Sequence, residues 1–328
     1  MSISDSPNGP FDADELEAQR LAGDGSDGRG IRDFMLDPHR AFFESLSYIF
    51  AAVRDSYGAP LATLLTGAAG FITTPDARRL QIAARPSIGD PAAPGFVPGA
   101  GIGLLGIDLS NRRRNRANGV ISTSSDAALE IALAQSYGNC AKYIQIRRAA
   151  ARTRNAQPAE TFAGLRADVA QLIVASDTFF VATQGRSDGM TVGGMDISHR
   201  GGRPGFVRVT GKRLSIPDFQ GNRFFNTFGN LLGDPRVGLL FPDFDHGDIV
   251  QLQGRASIDW SVRSDEVPGG ALRIWHVDIL QGWLRRQALP FSWTVPEPAP
   301  TSLGTGLWPQ GHPALEIQTR DSADAGNG

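Results

Sequence analysis

Three groups of residues in this 328-residue chain have types and spacings that can do chemistry. His199-Arg200 stands immediately before Gly201-Gly202. There a loop can bring an imidazole and a guanidinium over an anion or a flat ring, and imidazole is the side chain best placed to exchange a proton near neutral pH. Arg208, Lys212 and Arg213 bracket a short turn. They can grip a phosphate, the two arginines through bidentate forks. A helical stretch starting near Asn222 would add backbone N–H groups and a favourable dipole. Asn226, Thr227 and Asn230 follow at i, i+1 and i+4 of that stretch, roughly on one face. The combination points to an anion-binding site with a proton-exchanging group beside it.

Other chemistries lack their residues. The five histidines (39, 199, 246, 276 and 312) are widely separated and form no H-x-x-x-H pair. The single cysteine, Cys140, excludes an internal disulfide and any multi-cysteine zinc or iron–sulfur site, which favours a reducing compartment. With no base beside it in sequence, Cys140 reads as a small buried residue. The run Gly99-Ala100-Gly101-Ile102-Gly103 leads into β-favouring residues, so it is not a dinucleotide loop, and no serine triad or P-loop spacing occurs. The basic run at 112–116 (Arg-Arg-Arg-Asn-Arg) reads most simply as a solvated hairpin tip. The alternative is an arm that meets a phosphate or an acidic partner across a seam.

Composition narrows the setting. The chain is 41% hydrophobic and 20% charged, with a formal net charge of −2. No long-range field attracts nucleic acid or anionic lipid. No apolar run approaches the ~20 residues of a membrane span, and the acidic opening does not read as a secretory signal. The expected location is the cytoplasm.

Gly and Pro punctuate many short β-favouring runs, at 48–53, 61–65, 80–83, 102–107, 143–146, 178–182, 206–209, 237–241, 249–258 and 272–277. Short strands at such close spacing suggest a barrel. Helices are expected at 38–46, at 124–138 (Leu129, Ala132 and Leu133 at i, i+3 and i+4), at 159–173 and at 222–232. The ends, 1–30 and 297–328, show no apolar period and read as mobile.

The two halves also repeat. Gly70-Phe71 and Gly205-Phe206, Gly103-Leu104-Leu105 and Gly238-Leu239-Leu240, and Gly119 and Gly254 all lie 135 residues apart. Two copies of a small β-rich unit could each cover the other's apolar face, as in a homodimer. The organisation is then a first copy at 31–150, a linker helix at 151–172 and a second copy at 173–296.

The second copy carries the most distinctive text: Ser198-His199-Arg200-Gly201-Gly202-Arg203-Pro204-Gly205-Phe206-Val207-Arg208, Pro217-Asp218-Phe219-Gln220-Gly221-Asn222, and Asp234-Pro235-Arg236-Val237-Gly238-Leu239-Leu240-Phe241. It resembles the flavin-nucleotide-binding proteins related to pyridoxamine 5′-phosphate oxidase, as does Gly138-Asn139-Cys140-Ala141-Lys142-Tyr143, over residues 31–293 in all. The resemblance implies a mainly β fold with flanking helices: tandem six-stranded split β-barrels that form a pseudo-dimer within one chain and bind FMN at the seam. It implies FMN contacts in the second copy, for which Arg208, Lys212, Arg213, Asn222, Asn226, Thr227 and Asn230 are the candidates, with Gln251 close to Ile249, which stands where the oxidase presents a Gln, and with Lys142 reaching the ligand from the other copy. His199 and Arg200 are the catalytic candidates. The implied activity is that of a flavin-dependent oxidoreductase, with a non-catalytic flavin carrier or redox-sensing module as the alternative. Phe225 and Thr227 stand where the oxidase has its phosphate-binding Ser and Lys, so vitamin B6 oxidation is not implied. The chain has no Rossmann fingerprint, so NAD(P)H or a redox protein must come to it, beside a small-molecule substrate. A homodimer is possible.

Overall fold

The computed structural model describes residues 10–153, 155–186, 194–221, 223–309 and 315–316. It is mainly β, with few helices and open antiparallel sheets. Two short helices lead in. α1 (Ala13–Ala22) is started by a capping box, in which the Asp12 side chain accepts from the Glu15 N–H and the Glu15 side chain accepts from the Asp12 N–H. α2 (Asp37–Glu44) buries Phe42 and Phe43.

The first sheet contains β1 (Tyr48–Arg54), β2 (Pro60–Thr66), β3 (Ile72–Asp76), β4 (Arg79–Ile82), β5 (Gly101–Asp108), β6 (Arg113–Ser124) and β7 (Leu129–Gly138), in the order β2-β1-β5-β6-β7-β4-β3. β8 (Ala149–Ala151), β9 (Glu160–Ala163) and α3 (Ala167–Ala175) lead to the second sheet. That sheet is built from β10 (Thr178–Gln184), β11 (Met195–Gly201), β12 (Arg208–Thr210), β13 (Arg213–Phe219), β14 (Arg236–Pro242), β15 (Ile249–Asp259) and β16 (Ala271–Arg285), with α4 (Asn226–Gly233) between β13 and β14. Its order, β11-β10-β14-β15-β16-β13-β12, is that of the first sheet strand for strand. β17 (Phe291–Trp293) pairs with β8, α5 (Pro300–Leu303) follows, and β18 (Leu315–Glu316) adds to β12.

The central strands form where apolar residues predominate: β1, β2, β5, β10 and β14 are buried on both faces. One face of each packs in its own half and the other against the opposite half. Register agrees as well as order, with Gly103 facing Asn118 and Gly238 facing Gln253, and a bulge following each of those partners. Contacts between the sheets are reciprocal. A Cβ at Gly103 would lie 2.6 Å from the Met195 carbonyl oxygen, and one at Gly238 would lie 2.5 Å from that of Pro60. Only glycine permits such close backbone approach. Between the halves, Phe50 of β1 stacks on Phe180 of β10 with ring centroids 3.5 Å apart.

Several expectations need correction. Residues 129–138 form a strand, because Leu129 and Ile131 are buried at a period of two while Ala132 faces solvent. The 143–146 run pairs only through an isolated bridge from Ile146 to Glu297. The 159–173 stretch begins as β9 and turns helical only from Ala167, after Gly164 at φ +64. The N-terminal 1–30 segment, expected to be mobile, holds α1, which packs so tightly on α4 that a Cβ at Gly229 would lie 2.6 Å from the Glu15 Cα. In the tail, Trp308 donates its indole N–H to the Phe206 carbonyl (2.9 Å). α4 starts at Asn226, and Asn222 lies outside the described residues.

Candidate functional site

An open cavity lies where β6 of the first sheet meets β11, β13 and the first turn of α4. Strand alternation turns Arg114 and Arg116 of β6 toward it, while Arg113 points to solvent. The basic run is therefore not a solvated tip beyond Arg113: two of its arginines cross the seam.

The cations around the cavity fall into two sorts. Arg116 is buried and paired with Asp196 (3.0 Å), which also accepts from Asn118 (2.7 Å) and Asn230 (3.0 Å). Arg116 further donates to the Tyr137 hydroxyl (2.9 Å) and to Ser198, whose Oγ lies 3.0 Å from that of Thr227. Tyr137 in turn donates to Asn226 (3.3 Å), and Asn226 donates to Glu15 of α1. Arg200 and Arg273 share Asp218 (3.1 and 3.0 Å), with both guanidinium groups also over the Phe228 ring. These arginines are structural as well as electrostatic.

Arg114 is different. Among the described residues it meets no carboxylate, and its one side-chain hydrogen bond runs from Nη1 to His199 Nδ1 (3.2 Å). Burial, with Arg116 and Arg200 nearby, pushes its pKa down to about 9. A partly buried cation without a counter-ion costs free energy, which an anionic ligand offsets. Lys142 at the mouth likewise meets no carboxylate among the described residues and donates to the Gln220 side chain (3.4 Å).

His199 is 5% exposed. A guanidinium can only donate, so Nδ1 accepts and the ring proton sits on Nε2. That Nε2–H has no partner, and neither do Nε of Arg114 and Arg200 or Oδ1 of Asn139 at the same cavity. Burial first, then Arg114, Arg200 and Arg147, hold the imidazole well below its ordinary pKa of 6.5. His199 is a neutral hydrogen-bond donor here, in contrast to the expected proton exchanger at neutral pH.

Strained backbone gathers at the same place. Tyr143, Arg223 and Phe225, all lining the cavity, have φ near +64, a left-handed conformation that costs roughly 1–2 kcal/mol per non-glycine residue. Phe225 directly precedes α4, so the helix N-terminus with its first-turn N–H groups opens at the cavity.

The cavity thus brings together His199, Arg200, Asn226, Thr227 and Lys142 of the sequence candidates. The other described candidates stand elsewhere. Arg208 stacks on Trp308 (4.4 Å to the ring centroid), and Arg213 pairs with Asp278 at the surface, its register partner on β16. Lys212 sits in the turn between them, its carbonyl accepting from Ile279 (2.9 Å). The expected three-residue phosphate grip does not form at the cavity. Asn230 is buried beneath it, holding Thr183 and Asp196. Gln251 is fully buried at a different seam, donating to the Ala62 carbonyl (2.8 Å). Sequence reasoning missed Ser198, Asp218 and Arg273 as cavity groups. Cys140 is half-buried and free. Among the described residues no cluster suited to a metal ion occurs, and no helix is long and apolar enough to cross a membrane.

No family model matches the chain, and no curated protein does. Solved structures similar to it include HupZ from Group A Streptococcus (12% identity, 35% of this chain and 90% of the other, TM-score 0.28). A putative pyridoxamine 5′-phosphate oxidase from Lactobacillus delbrueckii has 12% identity, with 32% and 94% covered and a TM-score of 0.26. A FAD-binding protein from Mesorhizobium loti has 14% identity, with 39% and 96% covered and a TM-score of 0.26. At such scores the likeness is one of partial shape.

Proposed function

We propose that the chain is a tandem split barrel and that the seam cavity binds FMN by its phosphate, as part of a flavin-dependent oxidoreductase. The carrying observation is Arg114, a guanidinium at the cavity with no carboxylate, beside the unpartnered Nε2–H of His199. These donors fit a phosphate, with Lys142 at the mouth and the α4 N-terminus adding charge and N–H groups. Phe206, Phe219 and Phe225 give the cavity an apolar aromatic wall suited to a flat ring. When bound, FMN supplies hydride or single-electron transfer. The chain's own residues bind and orient: Arg114 and His199 donate to anionic oxygen, while Ser198 and Thr227 are held in place by Arg116. Electrons would come from NAD(P)H or a redox protein and pass to a small substrate in the cytoplasm.

One observation favours a second reading, a non-catalytic flavin carrier. Among the described residues His199 is the one imidazole at the cavity, and it is held neutral. Turnover with NAD(P)H separates the two readings.

The phosphate assignment is tested by titrating the protein with FMN and with riboflavin. Loss of charge-assisted bonds to one phosphate should weaken riboflavin by roughly 10- to 100-fold. Equal affinities would remove the assignment.

A further inference from the structure

The shared strand order gives every position at the seam cavity a counterpart at a second seam, where β15 meets β2. Arg116 lies opposite Tyr137 and Gln251 opposite Trp283, while Ser198 lies opposite Val181 and Thr63 opposite Ala51. Gln251 is therefore the counterpart of Arg116, and Thr63 that of Ser198. Two residues further along their strands, Arg285 is the counterpart of Asn139. A symmetric pair of barrels would bind ligand at both seams.

The second seam is filled by the chain itself. Where the second half sends in the N-terminus of α4, the first half sends in the loop carrying Ser87 and Asp90. The Asp90 side chain is 0% exposed and saturated with donors: Arg285 (2.7 Å), Gln251 (3.1 Å), the Ala92 N–H (3.0 Å) and the Thr63 hydroxyl. Arg285 also donates to Ser87 and is 4% exposed in its side chain. The contrast with Arg114 is electrostatic: one seam holds a cation without a carboxylate, the other a fully neutralised buried pair.

We infer that the chain has one working ligand site and one self-filled counterpart, in which the Asp90 carboxylate and its donors close the cleft that an anionic ligand would enter. The inference rests on the flavin reading above and deepens it by fixing the stoichiometry at one ligand per chain. Entry at the second seam would require separating Arg285 from Asp90 and placing a second anion beside a buried carboxylate. That penalty corresponds to about 100-fold or more in affinity.

The test is native mass spectrometry of the full chain with excess FMN, alongside Arg114→Met at the open seam and Thr63→Val at the filled one. One FMN per chain is expected at saturation, with its affinity on dilution of the ligand weakened at least 10-fold by Arg114→Met and retained in Thr63→Val. Two FMN per chain, or a single FMN lost in Thr63→Val and kept in Arg114→Met, would overturn the inference and leave flavin binding standing. No FMN at all would remove the flavin reading, and this inference with it.

Discussion

Replacing Arg114 with methionine should move stability and binding in opposite directions. A guanidinium whose pKa falls from 12.5 to about 9 carries up to ~5 kcal/mol of unfavourable electrostatics. Solvent screening of a partly exposed group reduces that to roughly 2 kcal/mol. Methionine keeps most of the packing and gives up one hydrogen bond to His199, worth about 1 kcal/mol. The ligand-free variant should thus be more stable by about 1 kcal/mol, while FMN binding weakens by roughly 10-fold or more. Urea denaturation with and without FMN reads both quantities. Arg116→Met is the control with the same chemistry: it takes the cation from a buried Asp196 that Asn118 and Asn230 also hold, and should cost about 3–5 kcal/mol without ligand. If Arg114→Met destabilises the ligand-free protein as Arg116→Met does, and FMN affinity stays the same, Arg114 is a structural arginine and the argument fails.

Two pH effects follow from buried groups. The His199 imidazole, held well below 6.5 by burial and three arginines, should titrate below the ordinary imidazole range in its ring proton resonances, and FMN should raise its pKa. Because the unfolded imidazole gains a proton below ~6.5 that the folded one refuses, stability falls with pH there, and His199→Asn should flatten that slope; a free-state midpoint near 6.5 would contradict this. Glu15, which joins α1 to Asn226, has its carboxyl pushed up to about 8 by burial and by Asp12 and Asp196. Between an unfolded value near 4.5 and 8 the folded chain holds a proton that the unfolded chain lacks, so stability declines as pH rises across that window. Glu15→Gln should remove the decline, seen as equal melting temperatures at pH 6 and 8.

Strands buried on both faces were legible from sequence, because β1, β2, β5, β10 and β14 are mostly apolar runs without a polar alternation. Residues 129–138 misled, since Leu129, Ala132 and Leu133 satisfy a helical period while a bulged strand buries Leu129 and Ile131. α1 had a signal in Asp12 and Glu15, a capping-box spacing outweighed by the polar composition around it. At the site, Asn226, Thr227, His199 and Arg200 could be picked out by type. The roles of Arg114 and Arg116 could not, because their partners His199 and Asp196 lie about 80 residues away across the seam. The neighbours of Arg208 and Arg213, Trp308 and Asp278, are likewise distant in sequence.

The central claim is that the seam cavity holds a flavin. An absorbance spectrum of the purified protein after incubation with FMN and gel filtration, with the bound molecule released by heat and weighed, tests it most directly. A yellow protein that releases FMN is expected. A colourless protein that has taken up no FMN would contradict it.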